Sequence, residues 1–289
     1  MSAKRREARS SVTRFTSEAG RGAIGVFDSG VGGLTVFREI ARVLPRESLI
    51  YLGDSARVPY GTKSPETVVR YSLQAAHHLL GRGIKMLVVA CNTATAAALP
   101  QLRESLPVPV IGVIEPGAHA AIAKTRGVVG VIATEGTVRS KAYTRAIQAL
   151  EPNVRVIESA APLFVPLAEE GWANTHVARE VAEVYLEPLM DAGIDTLVLG
   201  CTHYPILRGT IEQVVGEGVT IVDSAETTAE TVRGALGPMA AEESAKPRLD
   251  DGARVFLVTD AEERFRRIAG EFLEQEIGHL ELVSLDGTK

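Results

Sequence analysis

The sequence predicts an α/β protein built of parallel sheets and long enough for two α/β domains. Three observations carry that prediction. From Ala23 onward, short apolar runs alternate with longer amphipathic segments, the order that builds parallel sheets with helical crossovers. Several of these runs are continuous in Val, Ile and Leu rather than alternating, as strands are when both sheet faces are covered. The chain has 289 residues, enough for two domains at roughly 150 residues each.

Nine strands are expected, at 23–27, 48–52, 85–90, 109–113, 128–133, 154–157, 196–199, 219–222 and 254–258. The segments between them have helical spacing. In 65–80, for example, Val68, Val69, Leu73, Ala76, Leu79 and Leu80 recur at three- and four-residue intervals. Nine strands exceed what one small sheet needs, so two sheets are expected. The best linker on composition is 237–251, rich in Pro, Ala, Glu and Lys. Only one expected strand and one helix follow it, too little for a separate core, so the C-terminal segment must dock on an earlier part of the chain. The expected division is a tail at 1–22, a first domain of 23–113 plus 230–289, and a second of 114–229. The basic, Ser-rich tail lacks the apolar stretch of a secretory signal and reads as floppy. A transit peptide fits it less well, because Glu7 and Glu18 are acidic.

Two short echoes point to duplicated halves, although matches of this length also arise by chance. Met86–Thr95 and Thr196–Pro205 share an apolar strand, a small residue, a cysteine and then hydrogen-bonding side chains. Val26–Gly30 (VFDSG) and Ile221–Ala225 (IVDSA) form the second pair.

At 45% hydrophobic and 23% charged residues, the composition is globular and too apolar for disorder. Lys and Arg number 31 against 36 Asp and Glu, so the basic footprint of a nucleic-acid binder is missing. No apolar stretch approaches the roughly 18 residues that span a bilayer, and no membrane partner is expected. With only Cys91 and Cys201, a disulfide framework and a four-cysteine zinc site are excluded, and a reducing cytoplasm is the expected location. His77 and His78 are adjacent on a helix and point apart, so no metal site is expected there.

In open α/β sheets, ligands bind beyond the carboxyl ends of strands, where helix N-termini present unpaired N–H groups. Both cysteines fall at such places, and so do Asp28, Ser29, Asp54, Tyr60, Gly61, Asn92, Thr93, Glu115, Thr134, Thr202 and His203. A free cysteine is most often a small buried hydrophobe. Each of these, however, follows a strand, precedes a helix and has polar neighbours, and a helix N-terminus is expected to lower a thiol pKa. Two thiols facing each other across a cleft could act on opposite faces of one carbon, one removing a proton while the other supplies one. They could also form a redox pair, though without the Cys-x-x-Cys spacing of redox helices. Asp28 could be only a turn residue and His203 only a core histidine, but His203 lies two residues after Cys201 and so is a candidate to tune that thiol. The loop Gly30-Val-Gly32-Gly33 matches neither a dinucleotide fingerprint nor a Walker loop. A glycine-lined turn of this kind fits close backbone approach to a small dicarboxylate better than to a phosphate chain.

These residues resemble a known family, the cofactor-independent glutamate racemases that supply D-glutamate for bacterial peptidoglycan. The matching stretches run in family order. They are IGVFDSGVGGLTV (24–36), YLGDSARVPYG (51–61), VVACNTATA (88–96), GVIEPG (112–117), ATEGTVRSKAY (133–143), PLFVPLAEEG (162–171), LGCTHYPIL (199–207) and VDSA (222–225). The resemblance implies that Cys91 and Cys201 are the catalytic acid/bases, Cys91 on the D-face of the substrate and Cys201 on the L-face. It implies assisting roles for Asp28 and His203, with Asp54 and Glu169 as secondary candidates. Ser29, Tyr60, Gly61, Asn92, Thr93, Thr134 and Thr202, with Asp28 and His203, would hold the glutamate. It also implies two parallel-sheet α/β domains related by pseudo-symmetry with the active site in the cleft between them, no cofactor and a homodimer. A racemase for aspartate or another amino acid, or a non-catalytic binder on the same scaffold, are the alternatives. Many relatives carry a third cysteine where Ala161 stands, and the N-terminal tail lies outside the match.

Overall fold

The structure, a computed structural model, describes residues 22–245 and 253–285. The expected tail at 1–22 therefore lies, except for Gly22, outside the described residues.

The first half alternates as expected: β1 (Ala23–Asp28), α1 (Leu34–Val43), β2 (Leu49–Gly53), α2 (Pro65–Gly81), β3 (Ile84–Val89), α3 (Asn92–Ser105) and β4 (Val110–Gly112). The local causes are visible. Ser64 caps α2 by accepting the Thr67 N–H at 3.3 Å, and Pro65 stands in its first turn. Two single-turn 3-10 segments, Ser55–Arg57 and Tyr60–Thr62, fill the connection from β2 to α2.

The second half runs α4 (Ile114–Lys124), β5 (Val128–Ala133), α5 (Glu135–Ser140), α6 (Ala142–Leu150), β6 (Arg155–Ala160), α7 (Phe164–Glu169) and α8 (His176–Asp191). It continues with β7 (Thr196–Gly200), a 3-10 turn at Tyr204–Leu207, α9 (Arg208–Val215), β8 (Thr220–Asp223) and α10 (Ser224–Ala245). The chain then returns as β9 (Arg254–Val258), α11 (Glu262–Leu273) and β10 (Leu280–Leu282).

Two parallel sheets result, in the orders β10-β9-β2-β1-β3-β4 and β6-β5-β7-β8. The C-terminal segment docks on the first sheet as expected: β9 pairs in parallel with β2, and β10 extends the same edge. The first sheet contains the second as a pattern: β2-β1-β3-β4 and β6-β5-β7-β8 are the same order, with β1 matching β5 and β3 matching β7. The echo between Met86–Thr95 and Thr196–Pro205 thus falls on equivalent strands. The echo between Val26–Gly30 and Ile221–Ala225 does not, because it pairs the ends of β1 and β8, which hold different places in the two orders.

Two further expectations need correction. A tenth strand, β10, is present; at three residues it is too short to stand out as an apolar run. The expected linker at 237–251 is helical as far as Ala245, interrupted where Gly237 takes a left-handed φ of 80°. Its Ala and Glu residues are strong helix formers, which outweighs the loop composition around them. Residues 246–252 lie outside the described residues.

One apolar core is continuous across both sheets: Leu34, Phe37 and Tyr51 of the first half belong to the same buried cluster as Leu199, Tyr204 and Ile211 of the second. A second cluster fills the other face of the first sheet and a third the other face of the second. Among the described residues, no helix is long and apolar enough to cross a membrane.

Candidate active site

The equivalent strands β3 and β7 end in the two cysteines. Both line one cavity of about 390 Å3, shared with Ser29, Tyr60, Gly61, Asn92, Thr93, Thr134, Glu169, Thr202 and His203. The cavity lies beyond the carboxyl ends of β1, β3, β5 and β7, where the order of each sheet reverses.

Cys91 is the N-cap of α3, and its sulfur accepts the Ala94 N–H at 3.4 Å while its thiol donates to Ser29 Oγ at 3.5 Å. The expectation that the helix N-terminus lowers this thiol is overturned. Burial and the nearby Asp28 carboxylate outweigh the two hydrogen bonds and push the thiol up to about 12. Desolvation is not legible from helix position, and here it decides the sign. Cys201 lies across the cavity with its sulfur 3.8 Å from His203 Nδ1.

His203 is held from three sides. Its Nε2 donates to Glu169 Oε1 at 3.1 Å, and the Phe272 ring meets it edge-on at 5.4 Å between centroids. Burial alone would lower the imidazole, but its bonds to Cys201 and Glu169 raise it to about 10. With Nε2 committed to Glu169, Nδ1 is free to accept the Cys201 thiol proton or, as imidazolium, to donate to the thiolate. Burial works against ionisation of Glu169 as well, but His203 and Arg264 overcome it and hold the carboxyl below its usual range. Arg264 Nη2 reaches Glu169 Oε2 at 2.9 Å.

Asp28 and Asp54 are fully buried and do not line the cavity. Asp28 accepts the Gly30 N–H at 2.9 Å, and Thr202 Oγ1 lies 3.5 Å from it. Burial pushes its carboxyl up, against the pull of His203. Asp54 accepts from Arg57 Nε at 2.7 Å, from Thr259 Oγ1 at 3.0 Å and from the Tyr60 hydroxyl. It therefore supports the cavity from behind Tyr60, whose loop it anchors to the end of β9.

Polar groups gather on the remaining wall. Thr93 Oγ1 and Thr134 Oγ1 are 2.8 Å apart, and both contact Thr137 Oγ1. Asn92 Oδ1 accepts from Tyr143 OH at 2.7 Å, while its buried Nδ2 has no protein partner. A buried donor without a partner at a cavity wall suits a ligand acceptor. Gly61 lies against Thr134: a Cβ there would come within 2.8 Å of the threonine Cβ. Gly32 brings the halves closer still, because a Cβ on it would stand 2.4 Å from both His203 Nδ1 and Thr202 Oγ1.

A family model for Asp/Glu/hydantoin racemases matches residues 24–232. The chain belongs to the Asp/Glu/hydantoin racemase family. It is 55% identical over 268 residues to a glutamate racemase of Geobacter metallireducens, covering 92% of this chain and 98% of that protein. The fold agrees with that of a Francisella tularensis glutamate racemase solved with D-glutamate, at TM-score 0.84 and 38% identity over 92% of this chain and 98% of that one. An Escherichia coli glutamate racemase solved with L-glutamate and an activator gives TM-score 0.73 and 30% identity over 91% and 98%.

In this racemase-family member, eleven of the residues expected at the site line the one cavity, but part of its wall was not expected. Arg264, Phe265 and Ile268 of α11 line the cavity, as do Val31, Ser55, Val58 and Val165. The spacing of Phe265, Ile268, Ala269 and Phe272 signals a helix with one apolar face, yet nothing local shows where that face docks. Glu115 is also misplaced: it pairs with Arg103 at 2.8 and 2.9 Å and lines a separate cleft between α3 and α4. Among the described residues, no group of His, Cys, Asp and Glu is arranged to hold a metal ion.

Proposed function

We propose that this chain interconverts L- and D-glutamate by proton transfer at the α-carbon, with Cys91 and Cys201 as the two acid/bases and no cofactor. The observation that carries the reading is that the two thiols line one cavity from equivalent ends of two similarly ordered sheets. Relatives solved with D-glutamate and with L-glutamate support the choice of substrate.

From L-glutamate, the Cys201 thiolate takes the α-proton: the S–H bond forms as the Cα–H bond breaks, and the electron pair spreads into the α-carboxylate. The Cys91 thiol then gives its proton to the opposite face and is left as thiolate. From D-glutamate, the same steps run in reverse. His203, oriented by Glu169, takes up and returns the Cys201 proton between turnovers.

The α-proton is weakly acidic, so the site must stabilise a carbanion-like transition state. Asn92 Nδ2, the Thr93 and Thr134 hydroxyls and the first N–H groups of α3 are the donors for that charge. The substrate ammonium offsets the Asp28 charge that holds the Cys91 thiol up. In this reading the sheets belong to two domains, 23–113 with 230–289 and 114–229, with substrate between them.

The test is α-proton exchange in heavy water, followed by NMR with glutamate, aspartate and other amino acids offered separately. Glutamate is expected to exchange fastest and with inversion. Faster turnover of aspartate overturns the substrate assignment, and ligand binding without exchange overturns the enzyme assignment. The product feeds peptidoglycan synthesis in the bacterial cytoplasm. The protein is further proposed, on the family resemblance, to be a homodimer; a monomeric mass in sedimentation would refute that.

A further inference from the structure

The two thiols are served by unlike surroundings. Cys91 has a hydroxyl and a backbone N–H, whereas Cys201 heads a chain of side chains: His203, then Glu169, then Arg264. The last member comes from α11, in the segment that returns to the first sheet, while Glu169 is the final residue of the short helix α7. We propose that Arg264 is a positioning residue for the Cys201 side of the reaction, fixing the Glu169 carboxylate whose other oxygen orients His203. The inference rests on the functional reading above.

Both Glu169 oxygens are engaged, Oε1 by His203 at 3.1 Å and Oε2 by Arg264 at 2.9 Å. A carboxylate bound through one oxygen can swing about its terminal bond, and one bound through both cannot. Arg264 is itself braced, since the same Nη2 lies 3.3 Å from Glu170 Oε1. Its side chain is 53% exposed, so the ion pair contributes little to stability, but Glu169 is only 22% exposed and faces the cavity. The charged groups around this carboxylate are His203 from the turn after β7, Arg264 from α11 and the adjoining Glu170. His203 in turn faces Cys201 and feels the charge of Asp28.

The test compares Arg264→Gln and Arg264→Lys with the unaltered full chain, using glutamate as substrate. Arg264→Gln is expected to lower kcat by about threefold to tenfold, the order of one partly screened charge-assisted hydrogen bond, with KM nearly unchanged. The acid limb of the pH profile moves to higher pH. Arg264 helps hold the Glu169 carboxyl down, so without it Glu169 protonates earlier as pH falls and His203 loses its partner. Arg264→Lys, which keeps the charge, restores most of both. Unchanged kcat with an unmoved limb overturns the proposal, as does a loss confined to KM, which would make Arg264 a substrate contact.

A second readout needs no turnover. The His203 ring N–H bound to Glu169, followed by proton NMR in the free protein, should be lost on acidification at a higher pH in Arg264→Gln than in the unaltered chain. Identical behaviour in both overturns the proposal. If glutamate is not racemised at all, this measurement still decides whether Arg264 governs the pair, so the two failures are distinguishable.

Discussion

Cys91→Ser and Cys201→Ser are each expected to lose racemisation of glutamate by about 10²–10⁴-fold, the usual worth of a positioned acid/base. A serine hydroxyl keeps the size and a proton but is far too weak an acid to stand as an anion beside Asp28 or His203. L- and D-glutamate are mirror images of equal free energy in water, so kcat/KM must fall equally in both directions. The variants differ instead in exchange without inversion. Cys91→Ser keeps Cys201 and should still exchange the α-proton of L-glutamate in heavy water, whereas Cys201→Ser should still exchange that of D-glutamate. NMR of the α-position, read with the optical purity of the recovered amino acid, checks both. Racemisation at the unaltered rate in either variant would falsify the two-thiol scheme.

Gly32→Ala should cost about 100-fold in kcat/KM although Gly32 does no chemistry, because a displacement of about 1 Å at reacting groups has effects of that order. The added Cβ would stand 2.4 Å from His203 Nδ1 and from Thr202 Oγ1, so the imidazole cannot keep its places against Cys201 and Glu169. Overpacking should also lower stability by about 1–3 kcal/mol. Gly234→Ala is the control, since a Cβ there meets nothing within 4 Å and lies in helix α10. It should leave turnover unchanged. Kinetics of the unaltered protein in Gly32→Ala would show that the loop and His203 adjust freely, against the close approach described.

The strand–helix alternation was legible because most central strands carry a run of apolar residues, and the cysteines were legible as cavity residues because each follows such a run. What failed was long-range or depended on burial. The Gly30–Gly33 loop was expected to let a ligand approach the backbone, and Gly30 does line the cavity, but Gly32 packs against side chains of the other half, which no local pattern reveals. Asp54 looked like a site carboxylate from its place after β2, yet three donors hold it behind Tyr60. The helix N-terminus at Cys91 was visible in sequence, whereas the desolvation that reverses its effect required the fold. Arg264 carried no signal, because its partner lies 95 residues earlier in the chain.

The apolar cluster that runs unbroken from Leu34 and Phe37 to Leu199 and Ile211 sets how the molecule comes apart. Domains joined by small polar contacts melt separately, but a shared apolar interior makes each half the solvent shield of the other. Heating should therefore give a single cooperative transition, with no surviving half that retains one thiol in working order.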